Sequence, residues 1–364
     1  MTAKATTPRL PSTQAAKHRI ADIAALAGVG VATVDRVLNE RGNVSEKTAR
    51  KVLDVARGLR LKRILPLPHH RMLRIDVLLG RPDLPLIGRI SAEFARLAER
   101  IDRSVVIQRS ILKSDAPQVY AQHIASTKCD AVVMYASDHP LIRQAIADAK
   151  ARGVETITIF SDLPASQRLA YCGMDPVTAG RTAGLFMARM MKRPGPVIAL
   201  CGDLFVHGHA ARVQGLCEAL REYAPKCGEV QVLQGDDDST KSERRLLRAF
   251  RATPDLAGFY NAGAANPACG VALSAGVLKG KPVFIGHELT HETRPMLRSG
   301  VMALAIDQYP EHQARFAVDV LLHHFGFSDA GAMTTPYKSN ISFQLYSREN
   351  ITEPQETSLS LPGI

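Results

Sequence analysis

The stretch IADIAALAGVGVATVDRVLNERGNVSEKTARKV, residues 20–52, is patterned for three short helices. Ile20, Ile23, Ala24 and Ala27 recur at i, i+3, i+4 and i+7, the apolar face of one helix. Gly28 follows, where helices commonly end in a left-handed residue. After Gly30 the pattern resumes with Val31, Val34, Val37 and Leu38. Residues 39–43, NERGN, read as a loop. Ser45 is placed to cap a third helix, with Glu46 in its first turn and Val52, Leu53 and Ala56 on its apolar side. Two short helices joined by a tight Ala-Gly-Val turn form a helix-turn-helix, and the third closes its core.

Charge sets this segment apart from the rest of the 364 residues. The chain carries 46 Lys and Arg against 35 Asp and Glu, a net +11. Residues 1–74 hold 15 of the basic and 5 of the acidic side chains, so the remainder is nearly balanced. This is the footprint of a small polyanion-binding module joined to a neutral domain, the alternative being a solvated basic tail. Residues 1–17 are polar, without the apolar core of a secretory signal, and read as a disordered leader. No apolar run is long enough to span a membrane. Six scattered cysteines with no CxxC read as reduced thiols of a cytoplasmic protein.

Residues 20–52 resemble the DNA-binding headpiece of the lactose-repressor (LacI/GalR) family. That family's pattern runs roughly DVA-x-x-AGVS-x-x-TVSRVLN and then VS-x-x-T-x-x-KV. Asp22, Ala24, Ala27, Gly28, Val29, Thr33, Val34, Arg36, Val37, Leu38, Asn39, Val44, Ser45, Thr48, Lys51 and Val52 match it in order. The resemblance implies that the second helix enters the major groove, with Val31, Ala32, Asp35 and Arg36 at base-reading positions. Arg36 suits a bidentate bond to guanine, or else pairs on the surface with Asp22 or Glu40. Val31 and Ala32 offer apolar contact, for instance with a thymine methyl. Thr33, Asn39, Ser45 and Thr48 would touch phosphates. Two positions depart from the pattern. Asp35 replaces a serine, and either accepts a base amine or pairs with a neighbouring Arg. Gly30 replaces another serine and loses a side-chain cap.

The boundaries read from the sequence are a headpiece over 18–58, a linker over 59–74, a larger domain over 75–345 and a tail over 346–364. In the linker, the family's N-x-x-A-x-x-L hinge pattern is absent, and Pro66 and Pro68 forbid a continuous helix. Ile64 or Leu65 is either a minor-groove wedge or part of a packed extended segment. Lys62, Arg63, Arg71 and Arg74 add phosphate attraction.

From Ile75 onward, nine short apolar runs alternate with nine helical stretches. Parallel doubly wound sheets follow, too long for one sheet, hence two lobes with a cleft between them. The domain resembles type I periplasmic sugar-binding proteins, through GHAARVQGL (208–216), FYNAGAANPACGVALSAG (259–276), VFIGHEL (283–289) and ALAIDQYPEHQA (303–314). The fold class is thus an all-α headpiece plus a two-lobed α/β domain. The resemblance puts the ligand wall at strand C-termini. It names Leu84, Leu86 and Ile87, then Asp138, Asp162, Arg212, Asn261, Asn266, Glu288 and Gln308. Carboxylates, amides and one Arg suit a polyhydroxylated ligand, because each hydroxyl both donates and accepts. Asp138 and Asp162 have a second reading as helix caps, and Arg212 as half of a buried pair. Aliphatic first-loop residues and the absence of Trp weaken ring stacking on a hexose, and Arg212 leaves a sugar acid or sugar phosphate open.

No nucleotide fingerprint, P-loop or GxSxG is present, so neither a cofactor nor an enzymatic activity is expected. His207 and His209 would share a face on a strand, but nothing completes a metal site; a surface or cleft pair is the other reading. Asp236, Asp237 and Asp238 read as a loop and helix cap. The expectation is a cytoplasmic regulator, a repressor by family habit, with no enzymatic, metal or membrane role. Its partners are palindromic operator DNA, a small polar sugar-like effector and a second copy, with dimer or tetramer left open. A cytosolic binding protein with only nonspecific DNA affinity is the alternative.

Overall fold

In a computed structural model, residues 12–39, 41, 44–59, 72–204, 206–236, 238–327 and 341–351 are described. The chain divides into two compact units, Met1–Met72 and Leu73–Ile364. The expected minor-groove wedge at Ile64 or Leu65, the basic linker residues Lys62, Arg63 and Arg71, and most of the expected tail lie outside the described residues.

The first unit holds α1 (Ser12–Ala27), α2 (Val31–Leu38) and α3 (Glu46–Gly58). Helix α1 begins directly after Pro11 and so reaches into the stretch read as a leader; STQAAKHR is built from residues a helix tolerates well. Gly28 takes φ +62° and ends α1. The three apolar stripes meet: Ile23, Ala27, Val34, Leu38, Val52, Leu53 and Ala56 are all buried. Ser45 accepts a hydrogen bond from the Thr48 amide at 3.3 Å, capping α3.

The second unit is built from two parallel sheets. The first contains β1 (Leu73–Leu79), β2 (Val105–Ile111), β3 (Ala131–Met134), β4 (Glu155–Ile159) and β5 (Ala170–Cys172), in the order β2-β1-β3-β4-β5. Helices α4 (Pro85–Arg100), α5 (Pro117–Ser126) and α6 (Pro140–Ala151) connect its strands. The chain then passes into a second sheet of β6 (Val197–Cys201), β7 (Gln231–Gln234), β8 (Gly258–Asn261), β9 (Val283–His287), β10 (Leu304–Asp307) and β11 (Gln344–Tyr346). Its order is β11-β10-β9-β8-β6-β7, parallel except for β11 against β10. Helices α7 (Pro176–Met190), α8 (His207–Tyr223), α9 (Ser239–Ala252), α10 (Asn266–Ser274) and α11 (Thr293–Arg298) serve this sheet. Helix α12 (Pro310–His324) returns to the first lobe, where Ala314, Ala317, Val318 and Leu321 join its core against α4, β4 and β5. The central strands are apolar and buried on both faces, as sheets covered by helices require.

Two strands leave no signal in the sequence. Both β5 and β11 are three residues long, too short for a period-2 pattern to show. His207 and His209 sit in the first turn of α8 rather than on a strand, so they do not share a face.

Candidate functional site

In the first unit, α2 presents Val31, Ala32 and Arg36 to solvent, Val31 at 53 % exposure, while Val34, Val37 and Leu38 face the core. Its N-terminus begins at Gly30 without a side-chain cap, which leaves its amides to another partner. Asp35 lies on the same side, one turn after Val31 and Ala32. Its carboxylate is engaged within the unit, accepting from Asn39 Nδ2 at 2.7 Å and from Arg41 Nη1 at 3.0 Å. The pairing keeps a negative charge on this face covered by Arg41. Thr33 and Thr48 are half-buried, and the Ser45 hydroxyl lies 2.7 Å from that of Thr48.

In the second unit, a cavity of about 220 Å³ opens where strand C-termini of the two sheets converge. That is small beside ligand pockets of roughly 300–1,000 Å³. One wall comes from the first lobe: Leu84, Leu86 and Ile87 at the start of α4, with Tyr135, Phe160 and Ser161. Tyr135 and Phe160 meet edge to face with centroids 5.7 Å apart, so an aromatic surface exists after all, supplied by other loops than the first.

The opposite wall is polar. Arg212 donates from Nη1 to the Ala262 carbonyl at 2.9 Å and from Nη2 to Gln308 Oε1 at 3.1 Å. Gln308 Nε2 donates onward to Glu288 Oε1 at 2.7 Å. The three side chains form a relay in which the cation, the amide and the carboxyl fix one another. Arg212 Nε and Glu288 Oε2 are buried with no hydrogen-bond partner, and Arg89 Nη1 lies 3.5 Å from Glu288 Oε2. Burial, reinforced by the neighbouring Asp307, pushes the Glu288 carboxyl up to about 8. At neutral pH it is therefore largely protonated and offers a donor as well as acceptors. Asn266 donates to the His287 carbonyl at 2.8 Å and also lines the cavity. His287 contacts the Tyr260 hydroxyl at 2.7 Å, and burial, with Arg212 and His209 nearby, holds it neutral.

Of the residues expected from the sequence, Leu84, Leu86, Ile87, Arg212, Asn266, Glu288 and Gln308 line this cavity. Asn261 lies just beneath, its Nδ2 donating to Asn266 Oδ1 at 2.8 Å. Asp138 and Asp162 are not among the lining residues. Asp138 accepts from Arg143 Nε at 2.7 Å, and Asp162 is gripped by Arg168 while accepting the Leu163 amide. An arginine five or six residues downstream takes each carboxylate. His287, Phe160, Ser161 and Thr290 also line the cavity, outside the set expected from the sequence, and so does His209, one half of the pair read as surface or cleft; His287 directly precedes Glu288 in VFIGHEL, the one signal that points toward it. Among the described residues no group of three or more His, Cys, Asp or Glu could hold a metal ion. None of their helices is long and apolar enough to cross a membrane.

A helix-turn-helix with an exposed recognition face, ahead of two doubly wound lobes that wall a polar cavity, defines a class of ligand-sensing regulator. The match to the family model described as "Periplasmic binding protein domain" runs over residues 112–327, and that to "Bacterial regulatory proteins, lacI family" over residues 19–60. The chain thus belongs, through its larger part, to the periplasmic-binding-protein domain family, and it carries a lacI-family regulatory domain at residues 19–60. This architecture is that of a ligand sensor rather than an enzyme.

Solved structures agree on the fold of the larger unit. An ABC transporter solute binding protein from Burkholderia graminis, in complex with D-arabinose, is 20 % identical with a TM-score of 0.70, covering 79 % of this chain and 99 % of that one. GanP, a glucose-galactose binding protein from Geobacillus stearothermophilus, is 17 % identical with a TM-score of 0.68, covering 78 % and 99 %. A solute binding protein from Agrobacterium vitis, bound with alpha-D-tagatopyranose, is 20 % identical with a TM-score of 0.66, covering 78 % and 97 %. No curated protein matches the chain.

Proposed function

We propose that the chain is a transcriptional repressor whose operator affinity is set by a small polyhydroxylated ligand, a sugar, polyol or sugar acid, held in the 220 Å³ cavity. The observation that carries this reading is the Arg212–Gln308–Glu288 relay facing the Tyr135–Phe160 pair. Fixed donors and acceptors on one wall and an apolar, aromatic surface on the other match the two faces of a sugar ring. The solved structures of like fold that bind D-arabinose, glucose, galactose or tagatose support the same ligand class. Protonated Glu288 carries no charge to repel an acidic ligand, and Arg212 nearby attracts one, so a sugar acid suits the site as well as a neutral sugar does.

On DNA, Val31, Ala32 and Arg36 read bases, and Thr33, Asn39, Ser45 and Thr48 hold phosphates. Asp35 acts through Asn39 and Arg41, which it orients. Two copies bind a pseudo-palindrome as a dimer in the cytoplasm. Ligand shifts the lobes and changes operator affinity by its differential affinity for the two states.

A thermal-shift panel of pentoses, hexoses, polyols and sugar acids tests the ligand class. A binder at one hundred times its Kd should stabilise the protein by about 2.7 kcal/mol. Arg212→Ala should lose that shift and keep operator affinity in the absence of ligand. A panel without any shift in the wild type, or a shift unchanged in Arg212→Ala, contradicts the assignment.

A further inference from the structure

Phe160 of the first-lobe wall takes φ +61°, and in the second lobe a pair of non-glycine residues also sits in the left-handed region: Glu288, which lines the cavity, at φ +70°, and Tyr309, next to the lining Gln308, at φ +54°. Such conformations persist only where surrounding structure holds them, and they gather at functional sites. One carboxylate holds both. Asp307, 1 % exposed at the end of β10, accepts the Leu289 amide on Oδ2 at 2.9 Å and the Tyr309 amide on Oδ1 at 2.9 Å. Each amide belongs to the turn of a left-handed residue: Leu289 follows Glu288, and Tyr309 is itself left-handed and follows Gln308. Asp307 therefore sets the backbone from which both polar ligand residues project.

Asp307 is itself gripped from the other lobe. Arg89 of α4 donates to it from Nη1 at 2.6 Å and from Nη2 at 3.2 Å. The same guanidinium donates to Glu311 of α12 from Nε and Nη2, both at 3.0 Å, and its Nη1 lies 3.5 Å from Glu288 Oε2. Arg89 and Glu311 belong to elements of the first lobe, whereas Asp307, Glu288 and Gln308 belong to the second. Arg212, a second cation of this wall, is occupied by Ala262 and Gln308.

We infer that Arg89 and Asp307 are a positioning pair: the first lobe, through Arg89, fixes the Asp307 carboxylate, and that carboxylate holds the turns at Glu288 and Tyr309 in their ligand-binding shape. Neither residue lines the 220 Å³ cavity. The inference rests on the reading of that cavity as the ligand site. It makes closure of the lobes and preorganisation of Glu288 and Gln308 one event. When the lobes part, Arg89 leaves Asp307, both turns relax, and the relay through Gln308 loosens. A ligand that needs the relay intact then favours the closed state.

Hydrogen exchange of the full-length protein, read by mass spectrometry without ligand or DNA, tests the pair. In the wild type, the segments holding the Leu289 and Tyr309 amides should be slow to exchange. Arg89→Met should speed exchange there severalfold, although the substitution lies in the other lobe, while β1 and β6 keep their protection. Arg89→Lys, which keeps a charged donor, should restore part of the effect. Unchanged exchange at both segments in Arg89→Met overturns the proposal. If Arg89→Met loses protection throughout the chain, Glu311→Gln decides, because it weakens the orientation of Arg89 without touching Asp307. Faster exchange confined to the two segments in that variant supports the pair, and exchange as in the wild type overturns it. The regulator reading is untouched by a negative result, since loss of that reading would show instead as absence of sequence-selective DNA binding.

Discussion

Arg36 projects from the exposed face of α2, whereas Asp35 beside it is committed to Asn39 and Arg41. Arg36→Ala should therefore weaken operator binding by about 1–3 kcal/mol and relax one position of the site, as read by binding-site selection with the variant. A selected motif identical to the wild type's would remove Arg36 from base reading. Glu288 makes a pH-dependent prediction. Its carboxyl, raised by burial from 4.5 to about 8, binds a proton more tightly in the folded state than in the unfolded one. The stability that this supplies is full below about pH 4.5 and is lost as pH climbs through 8. Glu288→Gln stays neutral throughout, so its melting temperature should gain on the wild type's as pH rises over that window. Parallel melting curves across pH would show that Glu288 is not held protonated. His287, held neutral by burial, acts in the opposite direction: its share of stability is lost as pH falls below 6.5.

At the scale of elements, α7 and α8 pack closely enough to fix Arg212 from behind. A Cβ at Gly180 would collide with the Arg212 carbonyl, and one at Gly215 with that of Val177. Gly180→Ala should cost about 1–3 kcal/mol, measured by denaturant unfolding, and should weaken ligand binding as well, because the shift falls on the backbone that carries Arg212. A variant with wild-type stability would mean that the helices have room to part. Much of this layout is legible in the sequence. The helix-turn-helix shows in the 3.6-residue recurrence of Ile23, Ala27, Val34 and Leu38, and nine of the strands show as apolar runs between helical stretches. Arg212, Asn266, Glu288 and Gln308 are identifiable through the resemblance to type I periplasmic sugar-binding proteins, whose ligand walls gather around strand C-termini. Asp138 and Asp162 sit at the same kind of position, but the pairings with Arg143 and Arg168 depend on side-chain direction, which spacing does not reveal. Arg89 and Asp307 leave no local signal because their pairing spans 218 residues of chain.

At the scale of the whole molecule, charge and fold divide in the same place. The basic excess of residues 1–74 falls almost wholly in the unit Met1–Met72, while the unit from Leu73 carries the cavity and its own cores. Residues 73–364 expressed alone should fold, keep ligand binding and lose DNA binding, which calorimetry and gel shift would check together. The central claim is that a ligand in one unit governs sequence-selective DNA binding by the other. Its most direct test is selection of genomic fragments by the purified full-length protein at physiological salt, repeated with the ligand found in the thermal-shift panel. The account predicts one enriched palindromic motif, absent for residues 73–364, whose occupancy changes when ligand is added and does not change in Arg212→Ala. Binding without an enriched motif, fading uniformly as salt rises and indifferent to ligand, would contradict it.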